Sequence, residues 1–231
     1  MPRVDSFQCH ARKGQMQIAG FIVHVLSSMS PSASSAEPSS LLNSESAVYI
    51  SVDVEASGPI PGEYSLLSIG ACVVGREDEK DAESSRFYVE LKPTNDNFVQ
   101  KALDVTGFSM ENLKRNGTDP ILAMKKFESW INAITKGGKL KPVFVAYPVA
   151  FDWSFVNYYF HKYLKFNPFG VSGIDIKSVW TGKTNQKWHK ISKESILRDL
   201  RITDLEHTHN ALDDAIEQSK LFKRILQYSD A

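Results

Sequence analysis

Two carboxylates stand inside an apolar, strand-like run, Tyr49-Ile-Ser-Val-Asp-Val-Glu-Ala-Ser-Gly58. Because strand side chains alternate between two faces, Val52 and Val54 share one face while Asp53 and Glu55 share the other. Neighbouring anions repel each other and resist burial unless cations or protons compensate them. The run therefore indicates either a solvent-facing edge strand or one wall of a divalent-metal site, and this segment alone does not choose between them.

Length and composition fit one ordinary soluble globular domain, with 231 residues of which 42% are hydrophobic and 23% are charged. Lys plus Arg and Asp plus Glu both number 27, so the zero net charge gives no direct support for a polyanionic partner. The only cysteines are Cys9 and Cys72. They cannot form a disulfide framework or a cysteine-rich zinc site, and they favour a reducing compartment.

Residues 1–46 differ in composition from the rest of the chain. Ser, Pro and Ala crowd residues 27–46, which predicts a disordered leader, or an over-long start with Met29 as the initiator. The apolar run 18–26 loosely imitates a secretory signal, but His24 interrupts it and it is too short to span a bilayer. We expect a cytoplasmic protein that does not bind membranes, with organelle targeting through residues 1–46 as the alternative.

Residues 47–231 are predicted to form the folded domain, in which strands come first and then alternate with helices. Short connections between the first strands indicate an antiparallel meander. Apolar residues at helical spacing predict the helices that follow. The first of them begins at Thr118-Asp-Pro120 and ends at Gly137-Gly138. The fold class is therefore α/β, a mixed central sheet flanked by helices. The predicted strands are Val48–Glu55, Ser65–Val74, Arg86–Leu91 and Pro142–Tyr147, and the predicted helices span 118–136, 151–163, Ser192–Leu200 and Asn210–Tyr228.

Two later acidic positions have both a structural and a chemical interpretation. Asp152 opens an amphipathic helix directly after an apolar strand, where an Asp is also a favoured cap. The segment His209-Asn-Ala-Leu-Asp-Asp214 opens the last helix, where acids commonly form a solvated face. On an ideal helix Asp213 lies about 40° from His209 and Asp214 about 140° from it. Helical periodicity favours Asp213 unless His209 precedes the first turn.

Taken in order, these segments resemble the motifs of the DEDD exonuclease superfamily, in its His-containing DEDDh subgroup, to which ribonuclease T and the bacterial proofreading exonuclease subunit belong. The resemblance covers residues 47–228. It lies in Asp53-Val-Glu-Ala-Ser-Gly58, Ser68-Ile-Gly-Ala71, Val105-Thr-Gly-Phe-Ser-Met-Glu111, Ala150-Phe-Asp152 and His209-Asn-Ala-Leu-Asp-Asp-Ala215.

The resemblance implies a ribonuclease H-like core with a metal-dependent 3′–5′ exonuclease site. Asp53, Glu55, Asp152 and Asp214 would bind two Mg²⁺ or Mn²⁺ ions, with Asp214 chosen over Asp213 by the motif's His-x4-Asp spacing. His209 would act as general base, and Glu55 would also take part in catalysis. The implied substrate is a single-stranded or frayed 3′ end of DNA or RNA, cleaved to nucleoside 5′-monophosphates, and a homodimer is possible. A catalytically weak nucleic-acid-binding or scaffold module is the alternative, which the full set of acids disfavours.

Candidate substrate contacts are Ala56 and Ser57 in the first motif, His209, and the aromatic residues Phe108 and Trp153. Aromatic faces commonly stack on unpaired bases, although core packing is the alternative for each of them. Further aromatic candidates are Tyr158, Trp180 and Trp188. A loosely basic stretch, which forms either a solvated loop or a contact to phosphates, contains Lys183, Lys187, His189, Lys190 and Lys193. Tyr147-Pro148 stands where many relatives have His-Asn, so a contact to substrate or to a neighbouring strand is expected to differ.

Overall fold

The computed structural model describes residue 42 and residues 45–76, 82–203 and 208–229. Nearly all of the predicted leader lies outside these residues, so its disorder and any targeting role stay predictions. Part of the short connection between the second and third predicted strands is also outside them. Within the described ranges, every helix is too short or too polar to cross a bilayer.

The sheet has five strands, which are β1 Ala47–Ala56, β2 Leu66–Val73, β3 Arg86–Glu90, β4 Lys141–Ala146 and β5 Gly173–Asp175. Their order in the sheet is β3-β2-β1-β4-β5. Strands β1, β2 and β3 form the predicted antiparallel meander, whereas β4 pairs with β1 in parallel and β5 pairs with β4 in parallel. The mixed sheet is thus confirmed. Because β1 is the central strand, the edge-strand interpretation of the acid pair is wrong. The short strand β5 was not predicted.

Helices cover both faces of the sheet, and local capping sets several of their ends. Asp119 accepts hydrogen bonds from the amides of Ile121 and Leu122, with Pro120 in the first turn of α4, as its sequence predicts. The helices are α1 Ala82–Ser85, α2 Gln100–Thr106, α3 Met110–Asn116, α4 Pro120–Ile134, α5 Val149–Leu164, α6 Ile176–Thr184, α7 Lys193–Asp199 and α8 Ala211–Gln227, with a 3-10 turn at Trp188–Lys190.

The two faces of β1 have different neighbours. Val52 and Val54 are buried in a core that also contains Phe127 of α4 and Phe155 of α5. Tyr49 lies on the opposite face and packs against Phe222 of α8, with 6.4 Å between the ring centroids. Asp53 and Glu55 follow Tyr49 at even spacing, so they point to the face that α8 covers. The sheet therefore places both acids against the helix that carries the last motif.

Candidate active site

Gly70 allows the start of α8 to reach the strand that carries Asp53. Gly70 of β2 is paired directly with Asp53 of β1. A Cβ atom added to Gly70 would lie 2.1 Å from the backbone of Ala211, the first residue of α8. A side chain of any size is thus excluded at this crossing. The Gly in the Ser68-Ile-Gly-Ala71 segment brings His209 and Asp214 to the acid pair.

His209 precedes α8 and does not belong to its first turn. The Asn210 side chain caps the helix by accepting from the amides of Leu212 and Asp213, and His209 has a left-handed backbone with φ 56°. The condition that favoured Asp213 therefore does not hold. Asp214 is fully buried and its Oδ1 accepts from the Thr208 amide at 3.0 Å, whereas Asp213 is exposed.

The fold brings together the side chains of Glu55, His209 and Asp214. Each offers a possible metal-ligating atom, and these atoms lie within 4.8 Å of one another. Glu55 comes from the first strand of the domain, whereas His209 and Asp214 lie just before and within the first turn of its last helix, α8, which crosses β2 at Gly70.

We expect Asp214→Ala to abolish nuclease activity and weaken metal binding, because it removes a buried carboxylate from this cluster. Asp213→Ala should leave both within about twofold, since an exposed surface substitution seldom matters. Calorimetric Mg²⁺ titration and an oligonucleotide-shortening assay on both variants measure the difference. The assignment fails if the two variants exchange these results.

Asp152 reaches the site from the first turn of α5. Strand β4 pairs with β1 only as far as Ser51, so the Val54 amide lies beyond the parallel ladder. The buried Asp152 carboxylate accepts a hydrogen bond from this amide at 3.0 Å. Since Val54 stands between Asp53 and Glu55 in β1, this hydrogen bond holds the Asp152 carboxylate close to both of them.

Burial raises the pKa of three of the site's carboxyl groups, and neighbouring carboxylates raise it further for Asp53 and Glu55. Burial raises the pKa of Asp53 well above its usual value, and the charges of Asp152, Glu55 and Asp214 raise it further. Burial, then Asp214 and Asp152, raises the pKa of Glu55 to about 8. Burial raises the pKa of Asp152 to about 8 despite the opposing Val54 hydrogen bond.

Lys193 compensates this negative charge only in part. It lowers the pKa of Asp53 and Asp152, but its ammonium group is paired with the buried Glu217. Clustered carboxylate oxygens with excess negative charge are the donor set that Mg²⁺ and Mn²⁺ prefer. The residues present therefore fit hard divalent cations.

Metal-free protein should lose stability as pH rises. A carboxyl group whose pKa is higher in the folded state binds protons more tightly there, so the stability it contributes falls between the unfolded and folded pKa values. For Glu55 that window runs from 4.5 to about 8. We expect the free energy of unfolding in chelator to drop by more than about 1.4 kcal/mol, the value of one pKa unit, between pH 5 and pH 8.

Urea denaturation of metal-free protein across this pH range measures the effect, with Glu55→Gln as the matched variant. Its profile should be flatter, because one of the raised carboxyl groups is gone. A wild-type protein that becomes more stable as pH rises would contradict the charge balance described for the site.

The predicted substrate contacts differ in accessibility. Ala56 and Ser57 are buried, and the Ser57 Oγ donates to the Asn97 carbonyl at 2.7 Å and accepts from the Ser65 amide at 2.9 Å. Phe108 and Trp153 are half-buried against neighbouring core clusters. A role in substrate binding stays a prediction for all four, and for Ser57 the side chain already holds the loop that follows β1.

The other aromatic and basic candidates differ in burial and in their contacts. Trp180 is 1% exposed and packs in the core under α8, as the core alternative for it predicted. Trp188 is 52% exposed, with the Lys177 ammonium 4.0 Å from its ring centroid. Lys183 lies in α6 and donates to the Leu226 carbonyl at 2.8 Å, so the loop interpretation of the basic stretch is wrong at that position.

A largely apolar groove of about 430 Å³ reaches Glu55, and sequence reasoning missed most of it. Glu55 and Ala56 form part of its wall together with Gly58, Pro59, Val99, Lys101, Ala102, Val105, Thr106 and Phe151. The motif at 105–111 overlaps this groove only at its first two residues. The other apolar residues that line the groove at the short helix α2 form no pattern that the sequence reveals. Its volume is large enough to hold a small ring system.

Comparison with known proteins agrees with this geometry. The RNase_T family model, described as Exonuclease, matches residues 50–222. The 3′-5′ DNA exonuclease Cap18 of Escherichia coli is 42% identical over 189 residues, which are 82% of this chain and 97% of Cap18. The chain belongs to the exonuclease family, as a 3′–5′ exonuclease.

Solved structures show the same fold at low sequence identity. The nuclease domain of 3′hExo, a DEDDh member bound to rAMP, has a TM-score of 0.64 at 16% identity, covering 80% of this chain and 94% of that one. The zinc-bound complex of E. coli ExoI with single-stranded DNA has a TM-score of 0.57 at 16% identity, covering 78% of this chain and 40% of that one. The ribonuclease H-like DEDDh fold expected from the motifs is thus confirmed.

Proposed function

We propose that the protein shortens single-stranded DNA from the 3′ end by two-metal phosphodiester hydrolysis with His209 as general base. One observation carries the proposal: Glu55, His209 and Asp214 present their polar atoms within 4.8 Å of one another, beside Asp53 and Asp152. DNA is the proposed substrate class because Cap18, the 42% identical relative, is a DNA exonuclease.

Asp53, Glu55, Asp152 and Asp214 would hold two Mg²⁺ or Mn²⁺ ions. Such ions, when bound, lower the pKa of water and stabilise negative charge on phosphate oxygens. The exposed His209 stands at the edge of the cluster, where it can accept the proton of the attacking water. The water oxygen forms a bond to phosphorus as the bond to the 3′ oxygen breaks. The products are a nucleoside 5′-monophosphate and a chain shortened by one nucleotide.

The apolar groove supplies the place for the terminal base. Its walls include Val99, Val105 and Phe151, and it also reaches Glu55. A base held there would put the adjoining phosphodiester beside the carboxylates, and apolar contact reads no particular base edge. We therefore propose that the enzyme accepts all four bases at the 3′ end.

An end-labelled oligonucleotide assay tests the activity. With Mg²⁺, a 5′-labelled strand should shorten one nucleotide at a time, whereas a 3′-labelled strand should release its label at once as a mononucleotide. Chelator should stop both reactions. Matched DNA and RNA strands should show DNA as the faster substrate.

Three outcomes would contradict the proposal. Internal fragments from the first time points would show endonuclease cleavage, and faster shortening of RNA would overturn the choice of substrate. A folded protein that binds the oligonucleotide but shortens neither label would support the scaffold alternative instead.

A further inference from the structure

Gln218 connects the candidate metal ligand Asp53 to the end of β4. It lies on α8 one helical turn after Asp214 and is only 1% exposed. Its Oε1 accepts a hydrogen bond from the Tyr147 amide at 2.9 Å. Its Nε2 donates to Asp53 Oδ1. Both ends of one buried carboxamide are thus used, and they join three elements, β1, β4 and α8.

The Tyr147 amide determines the orientation of this carboxamide. A backbone N–H can only donate, so the oxygen of Gln218 must face Tyr147 and the nitrogen must face Asp53. Gln218 therefore acts on Asp53 as a donor of fixed direction. Rotation of a carboxylate about its last torsion is otherwise weakly restricted. The hydrogen bond holds the Asp53 carboxylate in one rotation and occupies one of its two oxygens.

We propose that Gln218 is a positioning residue that orients Asp53 for cation binding. The inference rests on the proposed function, in which Asp53 is a metal ligand. It also assigns a role to the segment before Pro148, where this chain departs from the His-Asn of many relatives: the Tyr147 main chain, and not a side chain, takes part in organising the site. Partners that orient a ligand are typically worth about 10- to 100-fold in metal affinity.

Gln218→Met tests the proposal, because methionine has nearly the same length but can neither donate to Asp53 nor accept strongly from Tyr147. Calorimetric titration with Mg²⁺ and Mn²⁺ should show about a tenfold or greater loss of affinity. Turnover should fall while the KM for the oligonucleotide changes little, since Gln218 is buried away from the substrate surface. In an Asp53→Ala background, which removes the acceptor of the Gln218 hydrogen bond, Gln218→Met should cause no further loss of metal affinity.

Thr135→Val is the control for general destabilisation. Thr135 is also buried and donates to the Ile131 carbonyl at 2.7 Å, but it lies at the end of α4. This variant should lower the melting temperature and leave metal affinity unchanged. If Gln218→Met fails to fold, Gln218→Asn decides, because it keeps the amide but is one methylene too short to reach both partners.

The inference is overturned if wild-type protein binds the cations and the folded Gln218 variant binds them equally well. It is also overturned if the losses from Gln218→Met and Asp53→Ala add in full, because Gln218 then acts independently of Asp53. Wild-type protein that binds neither cation would instead overturn the proposed function.

Discussion

Asp53→Asn should reduce turnover by more than about 100-fold while the fold remains intact. Loss of a partner that only orients a ligand already costs about 10- to 100-fold in such sites, and this substitution removes a ligand itself. The amide of asparagine can still accept the hydrogen bond from Gln218, so local packing is kept. Single-turnover measurements with excess enzyme isolate the chemical step.

The same substitution should stabilise the metal-free protein. Asp53 has a pKa raised by burial and by its acidic neighbours, so its charge opposes folding near neutral pH. Removing that charge should therefore raise the free energy of unfolding of the metal-free protein at pH 8. Added Mg²⁺ should then stabilise the wild type more than the variant.

Asp213→Asn provides the matched control, since it makes the same chemical change on an exposed side chain beside the site. It should alter neither turnover nor metal-free stability appreciably. An Asp53→Asn variant with turnover near that of the wild type would remove Asp53 from the candidate ligand set.

Gly70→Ala should also cause a large loss of activity, although Gly70 itself offers no polar side chain. Its new Cβ would stand 2.1 Å from the Ala211 backbone, which cannot move without moving the start of α8. His209 and Asp214 would then withdraw from Glu55. We expect activity to fall by more than about 100-fold because a misplacement of about 1 Å can cost that much. We also expect about 1–3 kcal/mol of destabilisation from overpacking.

Gly182→Ala is the matched control for this substitution. Gly182 lies in α6, and a Cβ there would meet no atom within 4 Å. The control should keep full activity and gain up to about 1 kcal/mol, the helix preference of Ala over Gly. Urea denaturation and the end-labelled assay on both variants measure the contrast. A Gly70→Ala protein as active as the control would show that the crossing of α8 and β2 tolerates a side chain.

The local elements of this fold can be predicted from the sequence because their causes lie within a few residues. Asp119 and Pro120 start α4, and the alternating pattern around Asp53 makes a strand. The acids and His209 were also identified as candidates, because their order and spacing are specific to one superfamily. Short elements were missed, since the three residues of β5 contain too few side chains to form a pattern.

The tertiary structure decided which of these residues lie close together. Asp53 could have belonged to an exposed edge until the sheet order placed β1 at its centre. The motif spacing favoured Asp214 over Asp213, and the cap at Asn210 supplies the physical reason, because it places His209 outside the helix. The contact between Gln218 and Asp53 spans 165 positions in the sequence, and a glutamine inside a helix has no distinguishing local pattern.

By itself, the sequence determined the type of chemistry, because the carboxylates and His209 are chemical groups that any fold would have to accommodate. Only the tertiary structure determined how they meet, through the Gly70 crossing, the bond from Asp152 to the Val54 amide, and the Gln218 bridge. The physical reason is that local hydrogen bonding and side-chain alternation depend on neighbours in the chain. Close approach, burial and charge repulsion depend on segments that folding alone brings together.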